Sequence, residues 1–175
     1  MILIHTALLC EAQSFIEHYK LKKINSNPKI YSNENLLIVI SGIGKENTIN
    51  SLTYIFNNYI ISKAFNIGIA GCNDLKVPIS TLFCTNKIIK NIEYTKLISV
   101  DSPKIAENTI LEQSKEKILY DMEGNYFFDY IASKLDLKDI YIFKIISDHL
   151  DEKILPKDYI KLLIKKNIIT INKYI

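Results

Sequence analysis

The sequence predicts an α/β fold: a single domain over residues 1–175 in three layers, α/β/α, around a mixed but mainly parallel central sheet. Three observations carry this. The runs at 2–8, 36–40, 64–70 and 140–146 are mostly apolar without alternation, the pattern of strands covered on both faces. Segments with helical apolar spacing separate them, as in strand–helix–strand units. Chemically useful residues (Glu11, Gly42, Gly71, Glu123 and Asp148) fall just beyond predicted strands, at the carboxyl-end rim where such sheets bind ligands.

Ile2–Leu8 reads as the first strand, and Cys10-Glu11-Ala12 opens a helix that continues with Phe15, Ile16 and Tyr19. Glu11 lies in the first turn, where the helix dipole favours a negative charge. Residues 25–35 are rich in Asn and Ser, include Pro28, and predict a loop or hairpin. Leu36–Ile40 is a strand, followed by Ser41-Gly42-Ile43-Gly44-Lys45 and a helix from about Asn47 to Tyr59. A strand, a glycine turn and a helix start present free backbone N–H groups to an anion or hydroxyl. The spacing is neither that of a dinucleotide-binding turn nor that of a P-loop.

Ala64–Ala70 is a strand running into Gly71, where small residues permit close backbone approach. Asn73–Pro78 forms a turn, Ile79–Thr85 and Lys96–Val100 further strands, and Ile105–Lys117 a short helix. Leu119-Tyr120-Asp121-Met122-Glu123-Gly124 is an apolar-to-acidic strand end entering a helix that reaches about Leu135. Ile140–Ile146 ends at Ser147-Asp148, and Pro156 introduces a last helix with Tyr159, Leu162 and Leu163 on its apolar side.

Composition removes several classes of function. Apolar residues make up 48% of the chain, too many for general disorder. No apolar run approaches the roughly 18 residues of a membrane span. Met1-Ile2-Leu3-Ile4-His5 lacks the basic segment of a signal peptide, so the expected location is the cytoplasm. The net charge is +3 and every positive residue is lysine, scattered among acids without interleaved aromatics, which predicts no nucleic-acid partner. Cys10, Cys72 and Cys84 lack metal or disulfide spacing and read as small buried hydrophobes. The three histidines are dispersed; His5 reads as a core or near-site residue, and no metal or other cofactor is expected.

Taken singly, Glu11, Glu123 and Asp148 fit ordinary helix-start or turn roles. Their order is more informative. Thr6–Ala12, Ser41–Lys45, Gly68-Ile69-Ala70-Gly71, Leu75–Pro78, Asp121-Met122-Glu123-Gly124 and Ile146-Ser147-Asp148 together resemble the nucleoside phosphorylase superfamily, and most of all its methylthioadenosine/S-adenosylhomocysteine nucleosidase branch. The resemblance covers nearly the whole chain. It implies cleavage of the N-glycosidic bond of a purine nucleoside or thionucleoside. Glu11 would orient and deprotonate the attacking water, and Asp148 would protonate the leaving base, with Ser147 beside it. Met122 would pack on the ribose, Glu123 would bind its hydroxyls, and the Gly68–Gly71 turn would lie close to the sugar. A homodimer is also implied.

The chain departs from that pattern in three places. It is short, with the shortfall between about Cys84 and Lys96; Ile69 stands where serine or threonine is common; and Lys144 stands where the basic residue is usually arginine. Phosphate-dependent cleavage, with phosphate as a further partner, and a non-catalytic nucleoside-binding protein remain the alternatives.

Overall fold

The computed structural model describes residues 1–102, 116–151 and 154–175. Its elements, in chain order, begin with β1 (Ile2–Thr6), α1 (Leu9–His18), β2 (Lys22–Ser26), β3 (Lys29–Ser32), β4 (Leu36–Ile40), α2 (Lys45–Asn58) and β5 (Lys63–Cys72). There follow β6 (Leu82–Cys84), β7 (Lys96–Ser99), β8 (Ile118–Asp121), α3 (Gly124–Ile131), β9 (Ile140–Asp148) and α4 (Lys157–Ile171).

Along the sheet the order is β2-β3-β4-β1-β5-β8-β7, with β9 paired to β5 and to β6. β1 runs parallel to β4 and β5, β5 parallel to β9, and β7 parallel to β8. Antiparallel pairs join β2–β3, β3–β4, β5–β8 and β6–β9. The sheet is therefore mixed, and its central strands are parallel.

Alternate residues along each strand feed opposite faces. Leu3, Leu37, Val39 and Ile142 pack with Leu52 and Ile55 of α2 and Phe127 and Ile131 of α3. Ile4, Ile38, Phe65 and Ile145 pack with Phe15 of α1 and Leu163, Ile164 and Ile168 of α4. Both faces are covered, so the strands have no polar face to show, and this gives the chain its continuous apolar runs. The helices keep 3.6-residue spacing: α4 buries Ile160, Leu163, Ile164, Ile168 and Ile171.

Some elements differ in extent from the sequence reading. The segment 25–35 belongs to a hairpin of β2 and β3. The strand expected over Ile79–Thr85 shrinks to Leu82–Cys84, because Ser80 takes φ +76 and the Pro78 carbonyl turns back to accept the Thr81 N–H. β5 runs two residues past Ala70 to pair with β8. Residues 105–115 of the helix expected over Ile105–Lys117 lie outside the described residues. No helix among the described residues is long and apolar enough to cross a membrane.

Candidate active site

The carboxyl ends of β1, β4, β5, β8 and β9 meet above one cavity of ≈ 360 Å³. Glu11, Gly71, Met122, Glu123, Ser147 and Asp148 all line it. Its walls carry five carboxylates (Glu11, Asp121, Glu123, Asp148 and Asp151) and, among the described residues, no lysine, arginine or histidine. Leu8, Ile43, Ile69, Val100 and Leu150 supply apolar wall between them.

Each acid is placed by local backbone geometry. Glu11 is buried at the start of α1. Its Oε2 accepts the Ala7 and Leu8 N–H groups at 3.1 and 2.9 Å, donors left free by the strand-to-helix turn. Its Oε1 accepts the Ile69 N–H at 3.0 Å, which ties α1 to β5. A Cβ at Gly68 would lie 2.8 Å from that oxygen, so the position admits only glycine without a shift. Glu123 precedes α3 and reaches across to the turn before α2, where its Oε1 accepts the Gly44 N–H at 2.7 Å. Gly44 sits at φ +93, a conformation that glycine adopts without strain.

Asp148 owes its place to a bulge. Ala70 faces Ile146 but Gly71 faces Asp148, leaving Ser147 as the extra residue that re-aims the strand end. The Ser147 hydroxyl donates to Asp148 Oδ2 at 2.6 Å and lies 3.3 Å from the Ala70 carbonyl. The Leu150 N–H donates to Asp148 Oδ1 at 2.9 Å. A Cβ at Gly71 would stand 2.9 Å from Oδ1.

Below the cavity floor lies one buried cation. Lys144 of β9 is 2% exposed, and its Nζ meets Asp121 Oδ2 at 2.6 Å. Burial pulls the ammonium down, but Asp121, Glu123 and Glu11 outweigh it and hold the group above the usual lysine value. Burial pushes the Glu11 carboxyl up against the opposing pull of Lys144 and three N–H groups. Burial also pushes Glu123 up to about 7, helped by Asp121 and Glu11 and opposed by Lys144 and the Gly44 N–H. His5, fully buried in β1, is lowered to about 3 by desolvation and by Lys144, so its imidazole is neutral, with Nδ1 2.9 Å from the Asn66 amide.

Protein-family models and curated protein sequences provide no match to this chain. Solved structures do. A Borrelia burgdorferi B31 protein assigned as a 5′-methylthioadenosine/S-adenosylhomocysteine nucleosidase and bound to adenine superposes with TM-score 0.79 at 17% identity, over 99% of this chain and 98% of that one. The Streptococcus pneumoniae nucleosidase with the transition-state inhibitor MT-ImmA gives 0.77 at 13% identity, over 99% and 97%. A futalosine hydrolase mutant of Helicobacter pylori strain 26695 gives 0.78 at 14%, over 99% and 97%. The chain shares with these structures the nucleoside phosphorylase-like three-layer α/β/α fold.

Within this fold, two polar residues do something that their places in the motifs do not state. Lys144 and Asp121 receive no role in the sequence, yet the first holds the charge of the site together. A signal was present: a lysine inside the apolar run Ile140–Ile146 is either paired or never buried. The remaining histidines lie elsewhere: His149 Nε2 is 3.0 Å from the Val77 carbonyl, and His18 is exposed beside Asn172. Among the described residues no group of three or more His, Cys, Asp or Glu is arranged to hold a metal ion.

The proton affinity of Glu123 has a consequence for stability. Its folded value of about 7 exceeds the ordinary 4.5. Its contribution is therefore fully present below pH 4.5 and is lost as pH rises through 7. Over that window the folded state loses about 3 kcal/mol relative to a Glu123→Gln variant, whose amide oxygen still accepts the Gly44 N–H. Denaturant titrations of both proteins at pH 5 and pH 8 measure it; a gap independent of pH would contradict the burial of this carboxyl.

Proposed function

We propose that the chain hydrolyses the N-glycosidic bond of a purine nucleoside or 5′-thionucleoside to the free base and the sugar. The observation that carries this reading is the charge of the cavity: Glu11, Glu123 and Asp148 line it, and Lys144, the buried ammonium beneath it among the described residues, is held by Asp121. Breaking such a bond builds positive charge on the sugar ring and negative charge on the base. A negative, largely apolar and partly enclosed site stabilises the first more strongly than water does.

In this reading a water attacks C1′ while the C1′–N9 bond breaks and its electron pair leaves with the purine. Glu11, whose proton affinity is raised by burial, takes the water's proton. Asp148, at the opposite side of the scissile bond, delivers a proton to N7 of the departing base, and Ser147 holds it in place. Glu123 accepts the ribose hydroxyls, and Met122 packs on the ring. The similar solved structures support the substrate class: they hold adenine, 5′-methylthioadenosine or the transition-state inhibitor MT-ImmA.

The same charge pattern disfavours phosphorolysis. A phosphate dianion would have to enter among carboxylates with no cation among the described residues of the cavity wall. Lys45, the nearest lysine in sequence to the glycine turn, lies over the Tyr126 ring at 5.4 Å. Incubation with a panel of purine nucleosides and thionucleosides, with and without phosphate, is expected to release free base equally in both, read by chromatography. Release only with phosphate would assign a phosphorylase, and binding without release a sensor.

A further inference from the structure

Asp121 closes β8 one residue before Met122, yet the reaction above gives it nothing to do. Its side chain is 2% exposed and fully engaged. Oδ2 takes both Lys144 Nζ at 2.6 Å and the Gly124 N–H at 2.8 Å, and Oδ1 takes the Ser99 hydroxyl. Ser99 Oγ in turn accepts the Asn125 N–H at 2.8 Å. Even the glycine that follows serves this contact. A Cβ at Gly124 would stand 2.9 Å from Asp121 Oδ2 and 3.3 Å from Lys144 Cε.

We propose that Asp121 is a positioning residue: by capturing Lys144 in a buried ion pair, it leaves Glu11 and Glu123 facing the cavity without a cation of their own. Its catalytic meaning rests on the nucleosidase reading; the charge arrangement itself does not. Three buried carboxylates share one ammonium, and the one that holds it at 2.6 Å takes most of its field. The other two then face each other's charge in a dry site, and one of them retains a proton near neutrality. Glu123 is the group that reports this.

The groups facing Glu123 come from every element around it. Glu11 comes from α1, Asp121 from β8 and Lys144 from β9; the Gly44 N–H comes from the turn before α2, and Tyr126 from α3. His5 of β1 lies near Lys144 and is neutral. Asp121 and Lys144 can both be changed without removing the Gly44 N–H that Glu123 accepts.

The test is a carboxyl titration of the free, full-length protein carrying ¹³C-labelled glutamate, followed by NMR, with Glu123→Gln used to assign the resonance. It needs no substrate, so a failure to release base would sink the nucleosidase reading and leave this result standing. In Asp121→Asn the freed ammonium turns to Glu123, and its midpoint falls by about one unit or more. In the double variant Asp121→Asn/Lys144→Met a neutral pair has been removed, and the midpoint stays within about half a unit of wild type. The double variant carries no unpaired buried ammonium, so it remains a test where the single variant does not fold. An unchanged midpoint in Asp121→Asn, or a rise of about one unit or more in the double variant, would overturn the proposal, because Lys144 would then serve Glu123 directly.

Discussion

Replacing Lys144 by methionine is expected to cost the fold about 3–5 kcal/mol, the largest effect of any single conservative change in the cavity floor. The side chain is 2% exposed and its stem has room for methionine, so packing changes little. The cost is electrostatic. Asp121, also 2% exposed at its side chain, loses the only buried ammonium among the described residues, and Glu11 and Glu123 lose its field as well. Urea unfolding at pH 8 measures this loss. At pH 5 the loss shrinks, because the pH lies below the Glu123 value of about 7 and the carboxyl is protonated, which removes one uncompensated charge. A loss under about 1 kcal/mol, the size of an exposed pair, would mean that the Lys144–Asp121 pair is open to water.

Asp148→Asn is expected to lower kcat by about 10²–10⁴-fold while leaving KM within a few-fold, as for removal of a general acid. The substitution keeps the local structure. The asparagine oxygen still accepts the Leu150 N–H, and its amide donates to Ser147 Oγ, whose proton turns to the Ala70 carbonyl 3.3 Å away. On the proposed mechanism, only the proton for the leaving base is missing. The loss should therefore shrink for a riboside with a good leaving group such as 4-nitrophenolate, and equal losses for both substrates would remove Asp148 from the acid role. Glu11 allows no such clean replacement. Both of its oxygens accept backbone N–H groups, so a glutamine amide on either side would face a donor.

The fold was legible where one physical cause dominates. Runs such as Leu36–Ile40 are apolar because both sheet faces are covered, and that alone predicts a parallel core. The rim was legible for the same reason at β1, β4, β5 and β9, since parallel strands deliver their carboxyl ends to one side; β8 runs antiparallel to β5 and still ends at the cavity. Less visible were features set by contacts between distant segments. The two-residue extension of β5 depends on β8 arriving beside it, and the bulge at Ser147 depends on the register of β5 against β9. The short β6 follows from the left-handed turn at Ser80, which no glycine announces. At the site, the acids stood out as strand-end carboxylates. The pairing of Asp121 with Lys144, 23 residues apart by their numbers, required knowing that β8 and β9 end around the same floor. Glu123 read as an acid at a helix start, but its carboxylate leaves α3 for the Gly44 N–H of another turn.

The central claim is that Glu11, Glu123 and Asp148 surround one sugar–base bond. A crystal structure of the Asp148→Asn variant grown with intact methylthioadenosine tests it most directly. The expected density places the ribose hydroxyls on Glu123, C1′ toward Glu11, and the N7 edge of adenine at residue 148. A nucleoside bound outside this cavity, or inside it with the base turned toward Glu123, would contradict the account.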